Sequence, residues 1–314
     1  MEVTVTPAVE VGRWYTDLPA DAYHADPIPG GSLSSTGARL LLPPSCPAKF
    51  RWWADNPQPP KRIFDFGHAA HGEVLGVGDP VRILDFPDYK TKAAQQAKKD
   101  AYADGEIPLL PWEWEKVQAM AAVIRAHPVA GVLFDPATGT PEVSLFWRND
   151  MFGVNCRARL DWLINEPIPI QGKPRIVIPD YKTCNQADPE SLAKSMHQYG
   201  YHQQNDWYKT GLLAAGLADE AAPPLPLLVA QEKEAPYLVT IVQPDAPAMR
   251  VAATRNRKAL DEYANCSASG IWPGYADDVV QLPLPGYAEF QHDQAVQAGD
   301  FDIDWQLPIP KVSA

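Results

Sequence analysis

The sequence predicts an α+β, or mixed α/β, protein built around one small central sheet. Three observations predict it. Helical patterns crowd the first 130 residues. Three consecutive strand-like runs follow them. After these come one long helix, two more strands and a further helix. The 314 residues, 46% of them hydrophobic, suffice for one large domain or two small ones with a real core.

Residues 1–32 are mixed and end in the turn-rich DPIPGGS. In SLSSTGARLLL, serines precede an apolar run, which predicts a short helix at about 34–42. CPAKFRWWADN reads as a second short helix, stopped by Pro57. RIFDFGHAAHGEVLG sets Ile63, Phe66, Ala70 and Val74 at helical spacing. VRILDF is a short strand, and KTKAAQQAKKDAYADG a polar, alanine-rich helix. A longer amphipathic helix starts at Pro111 and ends near Pro128. Residues 142–147, 153–164 and 175–182 read as three strands, with the turn-rich loop NEPIPIQGKP between the last two. One long helix is expected over about 189–215. LLVAQEK and YLVTIV form a hairpin around Glu234-Ala235-Pro236, and a helix follows at about 245–265. The last fifty residues read as irregular, with GDFDIDWQLPIPKVSA as a loose tail.

The bulk properties exclude several classes. Cys46, Cys156, Cys184 and Cys266 form no CxxC pair, so neither a disulfide scaffold nor a zinc site is expected. The N-terminus lacks the basic-then-apolar pattern of a signal peptide, and no apolar run is long enough to span a membrane. A reduced, cytoplasmic setting without membrane contact is the simplest expectation. The net charge of -12 argues mildly against broad nucleic-acid binding. A metal-dependent nuclease nevertheless needs carboxylates in its site, and local basic patches can carry its phosphate contacts. No glycine-rich phosphate loop, Ser-His-Asp signature or dinucleotide fingerprint is present.

The chemistry concentrates in IVIPDYKTC, residues 176–184. Residues i and i+2 of a strand share a face, so Asp180 and Lys182 project together and Tyr181 points away. The preceding strand, VNCRARLDWLI, carries Asp161. If the two strands pair antiparallel, Asp161 and Asp180 converge on an oxygen-rich site suited to Mg²⁺, with Mn²⁺ as a substitute. On its own a D-x-K triplet is better explained as a solvated strand end with a weak ion pair. Three features add to it. GHAAH places His71 one helical turn from Gly67, with His68 as a competitor. In YHQQNDWY, Gln204 and Tyr208 lie on one helix face, while Tyr201, Trp207 and Tyr208 also suit a core. Glu142 opens the strand before Asp161's, as a ligand or as an exposed strand-start acid.

The ordered set G-x-x-x-H, E, R-x-D, D-x-K and Q-x-x-x-Y resembles the PD-(D/E)XK nuclease superfamily. Within it, the chain resembles the RecE-type, exonuclease VIII-like phage exonucleases of the RecB-like branch. Eighteen residues separate Asp161 from Asp180, which leaves room for a loop. YHADPIPGGSLSSTGARLLLPPSCPAKF and VAQEKEAPYLVTIV resemble flanking parts of that family, so the likeness spans about residues 20–285. Pro179-Asp180 spells PD but belongs to the second half of the motif, and Asp161 is preceded by leucine.

The resemblance implies a restriction-endonuclease-like core with extra N-terminal helices. It implies one nuclease domain over 1–285, with a helical part at 33–130, a catalytic core at 140–265 and an extension at 286–314. It makes His71, Asp161 and Asp180 metal ligands, Lys182 the catalytic lysine, and Gln204 and Tyr208 the motif on the following helix. Arg157, Arg159, Lys61 and Arg62 are the candidate phosphate contacts, although Arg157 and Arg159 can equally pair with nearby acids. The implied activity is Mg²⁺-dependent 5′→3′ digestion of double-stranded DNA ends in phage-type recombination. It brings with it a homo-oligomer, a single-strand annealing protein as partner, and a phage or prophage origin in a bacterial cytoplasm. Relatives that hold an iron–sulfur cluster use a closely spaced cysteine triplet absent here, so no cluster is expected. Two alternatives are a structure-specific or restriction-like endonuclease of the same fold and a relative that binds DNA without cutting it.

Overall fold

The computed structural model describes residues 9–56, 65–170 and 172–301. The chain divides into two units, Met1–Pro273 and Gly274–Ala314. The first unit opens with β1 (Arg13–Tyr15) and α1 (Ala20–His24), followed by α2 (Ser35–Leu40) and α3 (Pro47–Asp55). The Ser34 hydroxyl caps α2 by accepting from the Gly37 amide at 3.1 Å. Pro47 opens α3, where its missing N–H costs nothing. The helical half continues with α4 (Asp65–Leu75), β2 (Val81–Ile83), α5 (Lys92–Ala103), β3 (Ile107–Leu109), α6 (Pro111–Ala126) and α7 (Ala130–Leu133). Of these, β1, α1, β3 and α7 were not expected. Each is too short to establish a period that a sequence can display.

The three expected strands are present as β4 (Gly139–Asn149), β5 (Val154–Ile164) and, later, β8 (Val177–Cys184). The turn-rich stretch before β8, expected to be a loop, forms a small antiparallel hairpin of β6 (Ile168–Ile170) and β7 (Lys173–Arg175). The chain continues through α8 (Pro189–Tyr199), α9 (Tyr201–Ala214), β9 (Leu225–Glu232), β10 (Val239–Val242) and α10 (Ala246–Ser269). The single helix expected over 189–215 is therefore two. Gly200 adopts φ +71°, caps α8 in the left-handed conformation and redirects the chain into α9.

Among the described residues six strands form two three-stranded sheets, ordered β1-β4-β5 and β10-β9-β8, while β2 pairs with β3 in parallel. The expected antiparallel pairing of β5 with β8 is not found. The ladder of β5 goes to β4, and that of β8 goes to β9, in parallel from Val177↔Leu225 to Cys184↔Glu232. A parallel neighbour needs a long crossover, which α8 and α9 supply. β5 and β8 still lie against each other. A side chain makes the join: the Tyr181 amide donates to Asp161 Oδ2 at 3.0 Å.

Two apolar clusters flank this seam. One gathers Val143, Leu145, Leu160 and Ile178 beneath α2, α3, α9 and α10. The other packs Trp162, Val177, Tyr181 and Val229 against α4, α6 and α7. On β8 the neighbours Val177 and Ile178 enter different clusters, and on β5 Asp161 lies between Leu160 of one cluster and Trp162 of the other.

In the second unit the expected irregular tail contains a helix, α11 (Gly286–Ala298), with no buried side chain. His292 stacks on Phe301, ring centroids 5.2 Å apart. Among the described residues no helix is long and apolar enough to cross a membrane. Lys61 and Arg62 lie outside the described residues.

Candidate active site

Alternation along β8 separates two kinds of work. Tyr181 faces the core, where its hydroxyl donates to Gln231 Oε1 at 2.6 Å. Gln231 Nε2 in turn donates to the Met120 carbonyl at 2.9 Å. This buried network locks the strand. Asp180 and Lys182 emerge on the other face, as the alternation predicts. Lys182 Nζ donates to Asp180 Oδ1 at 2.8 Å and lies 3.4 Å from Asp161 Oδ2. One ammonium therefore bridges carboxylates from two sheets.

α4 brings His71 to the same point. Ala69 and Ala70 pack against β3 and α6, and Val74 and Leu75 join the cluster of Trp162 and Tyr181. That leaves His71 over the seam, with Nε2 3.3 Å from Asp161 Oδ2 and Nδ1 3.9 Å from Glu142 Oε1. His68 points to an exposed face. A Cβ on Gly67 would meet Thr183 Oγ1 at 3.5 Å, an ordinary contact, so packing does not demand glycine there.

Glu142 lies directly across the β4–β5 ladder from Asp161, between the pairs Pro141↔Trp162 and Val143↔Leu160. The ladder lapses at this position, because Glu142 takes φ +54°. A left-handed non-glycine residue costs about 1–2 kcal/mol. The unusual backbone sits at the one position that faces the carboxylate and the histidine.

α9 closes the other side. Gln204 Nε2 donates to the Tyr208 hydroxyl and lies 3.5 Å from Asp180 Oδ1. α9 approaches β4 closely, since a Cβ on Gly211 would come within 2.9 Å of the Trp147 ring. Gln203 turns to the opposite face, where its side-chain Oε1 accepts from Arg255 Nε at 3.2 Å. Tyr201, which also suited a core by its spacing, lines a cleft of ≈ 260 Å³ with Tyr199, Arg39, Ser35, Lys182 and Gln204. Tyr199 and Arg39 carried no signal in the sequence reading, because neither repeats a motif spacing.

Electrostatics divide the two acids. Asp180 is 1% exposed, and burial drives its pKa upward against the pull of Lys182. Its Oδ2 is buried without a hydrogen-bond partner. Burial works the same way on Asp161, but the charges of Lys182 and His71 and the bonds from His71 and the Tyr181 amide outweigh it, so its pKa falls. Burial would lower the pKa of Lys182, yet the two carboxylates raise it. His71 is raised too, because Asp161 outweighs its burial.

The expectation that Arg157 and Arg159 meet phosphates needs correction. Both share Asp161's face of β5, but the segment containing α1 covers that face. Arg157 is 7% exposed, lies 2.6 Å from Asp26 Oδ2 and bonds Ser32. Arg159 pairs with Glu142 and donates to Ser144 Oγ at 2.8 Å and the Leu18 carbonyl at 2.9 Å. They hold the N-terminal segment and Glu142 in place. Asp26 and Ser32, which fix Arg157, lay in a stretch whose sequence reads only as a turn.

Among the described residues no three His, Cys, Asp or Glu side chains converge as a ready cation cage. The space between the two acids holds the Lys182 ammonium instead.

Two packed small sheets, with two carboxylates and a lysine converging where they meet, define a member of the PD-(D/E)XK nuclease superfamily. The chain belongs to the family described as "PDDEXK-like domain of unknown function (DUF3799)", whose profile matches residues 65–282. That span includes every site residue from His71 to Tyr208. No curated protein matches the chain. Among solved structures it is similar to a protein of Eubacterium rectale named "Putative exonuclease", with a TM-score of 0.52 and 12% identity over 81% of this chain and 91% of that one. At that identity the likeness concerns the fold.

Proposed function

We propose that the protein is a Mg²⁺-dependent deoxyribonuclease that hydrolyses phosphodiester bonds at double-stranded DNA ends. The observation that carries the reading is the convergence of Asp161, Asp180 and Lys182 around a buried carboxylate oxygen with no donor. A buried carboxylate oxygen left without a hydrogen bond is costly even when its twin is paired with a lysine, and a divalent cation is a partner that carboxylate oxygens accept well. Asp180 and Asp161 would hold it, with His71 beside them and Glu142 behind. Such an ion lowers the pKa of a bound water and neutralises charge on a phosphate.

The chain's own groups supply the rest. Lys182 stays protonated through neutral pH, since its two carboxylates raise its pKa. It therefore meets a phosphate as a cation and donor, where charge develops during attack. Gln204, steadied by Tyr208, limits the positions open to Asp180. Tyr208 remains a neutral phenol, because burial and the charges of Asp180 and Asp161 push its pKa well up.

The finer features follow from resemblance: 5′→3′ polarity, a homo-oligomer, an annealing-protein partner, and phage-type recombination in a bacterial cytoplasm.

The test is a gel assay with linear duplexes labelled at either end, a covalently closed circle, and Mg²⁺ or EDTA. Metal-dependent loss of the linear DNA alone is expected, and the end released first gives polarity. Asp161→Ala and Lys182→Ala should abolish cutting while binding persists. Cutting of the circle would replace the exonuclease reading with an endonuclease. No cutting in Mg²⁺ or Mn²⁺ would leave a DNA-binding relative.

A further inference from the structure

This inference rests on the nuclease reading and concerns the form in which the strand reaches the acids. The ≈ 260 Å³ cleft runs between α2 and the α8–α9 junction and ends at Lys182 and Gln204. That volume falls just below the ~300 Å³ where small-ligand sites begin. The cleft is open to solvent and has room for a single nucleotide beside the acids.

The two walls differ. One carries the guanidinium of Arg39 with the hydroxyls of Ser35 and Thr36. Arg39 Nη1 donates to the Tyr199 carbonyl, which ties this wall to the other. The second wall carries Tyr199 and Tyr201, with centroids 5.7 Å apart and planes inclined by 34°. Tyr199 is 49% exposed. Left-handed Gly200 between them lets both rings line one cleft. A cationic wall facing an aromatic wall is the arrangement that receives single strands, because every base has a face that can stack.

We propose that this cleft is a single-nucleotide subsite in which the terminal base stacks on the Tyr199–Tyr201 pair while its backbone follows Arg39. A paired end must therefore fray before it is cut. The tyrosines act as specificity residues.

The test uses DNA with 2-aminopurine as the terminal base and the full-length protein. Binding is read by fluorescence with the inactive Asp161→Asn protein, and cleavage with wild type. Quenching on binding is expected to persist in Tyr199→Phe and disappear in Tyr199→Leu. Stacking is worth ~1–3 kcal/mol per base, so Tyr199→Leu should weaken binding roughly 5- to 150-fold. Ends with terminal mismatches should be cut faster than paired ends, and Tyr199→Leu should remove that preference. Circular dichroism melts confirm that both variants fold. A bright probe in the complex, with cleavage indifferent to Tyr199→Leu, overturns the subsite and leaves the nuclease reading intact. A quenched, Tyr199-dependent probe without cleavage overturns the nuclease reading and keeps the subsite.

Discussion

Asp161 and Asp180 share one lysine, yet their proton affinities move in opposite directions. Asp161 has His71 and a backbone amide in addition to Lys182. Asp180 has burial that Lys182 does not offset. Folded Asp180 thus keeps its proton to higher pH than the unfolded chain, whose aspartates titrate near ~3.9. Above that pH the folded state binds the extra proton, so stability falls as pH rises toward the raised folded pKa. In chelator, urea midpoints of wild type should fall between about pH 4.5 and about pH 6, more than those of Asp180→Asn. His71 adds a loss of the same sign at higher pH, and Asp161 acts only below this window. Equal slopes in the two proteins would show that Asp180 is not the linked group. The D-x-K pair itself was legible in the sequence, because strand alternation alone puts both residues on one face. The fate of Arg157 and Arg159 was not. Their period was read correctly, but the cover over that face comes from Asp26 and Ser32, more than a hundred residues away.

The element that most shapes the site is the broken helix. Composition over 189–215 favours one continuous helix, and of its two glycines, Gly200 and Gly211, neither gave a reason to divide it. The φ of +71° at Gly200 makes the division necessary, and a Cβ there would also meet Arg39 Cδ at 2.8 Å. Gly200→Ala should therefore cost about 1–2 kcal/mol, read as a drop in chemical-denaturation stability. An unchanged midpoint would mean that the junction tolerates right-handed geometry. Before Gly274, helices longer than about eight residues were otherwise legible from period and caps, whereas α11, 13 residues long with no buried side chain, was not. The pairing of strands was not, because a parallel partner is chosen by the crossover and the packing beneath it rather than by either strand's pattern.

At the scale of the molecule, all four buried clusters lie before Gly274. Pro273 closes that unit by accepting from the Ala48 amide at 3.0 Å, and Trp272 packs on Phe50. A protein ending at Pro273 should keep the melting temperature of the full chain and the metal-dependent cleavage proposed for it, measured side by side. A lowered melting temperature would mean that the later residues stabilise the first unit. The superfamily was legible from five short motifs in the right order, whereas the arrangement that joins them was not. The two acids belong to different sheets, and the strands that bear them share no backbone ladder. Their separation is therefore set by packing and by side chains rather than by a backbone ladder. A cation lodged there would work as a rivet, its affinity including the work of drawing the sheets together. The Tyr181 amide, which donates across the gap, becomes a natural gauge of that clamping. Its exchange with solvent deuterium should slow when the rivet is in place and quicken when it is drawn.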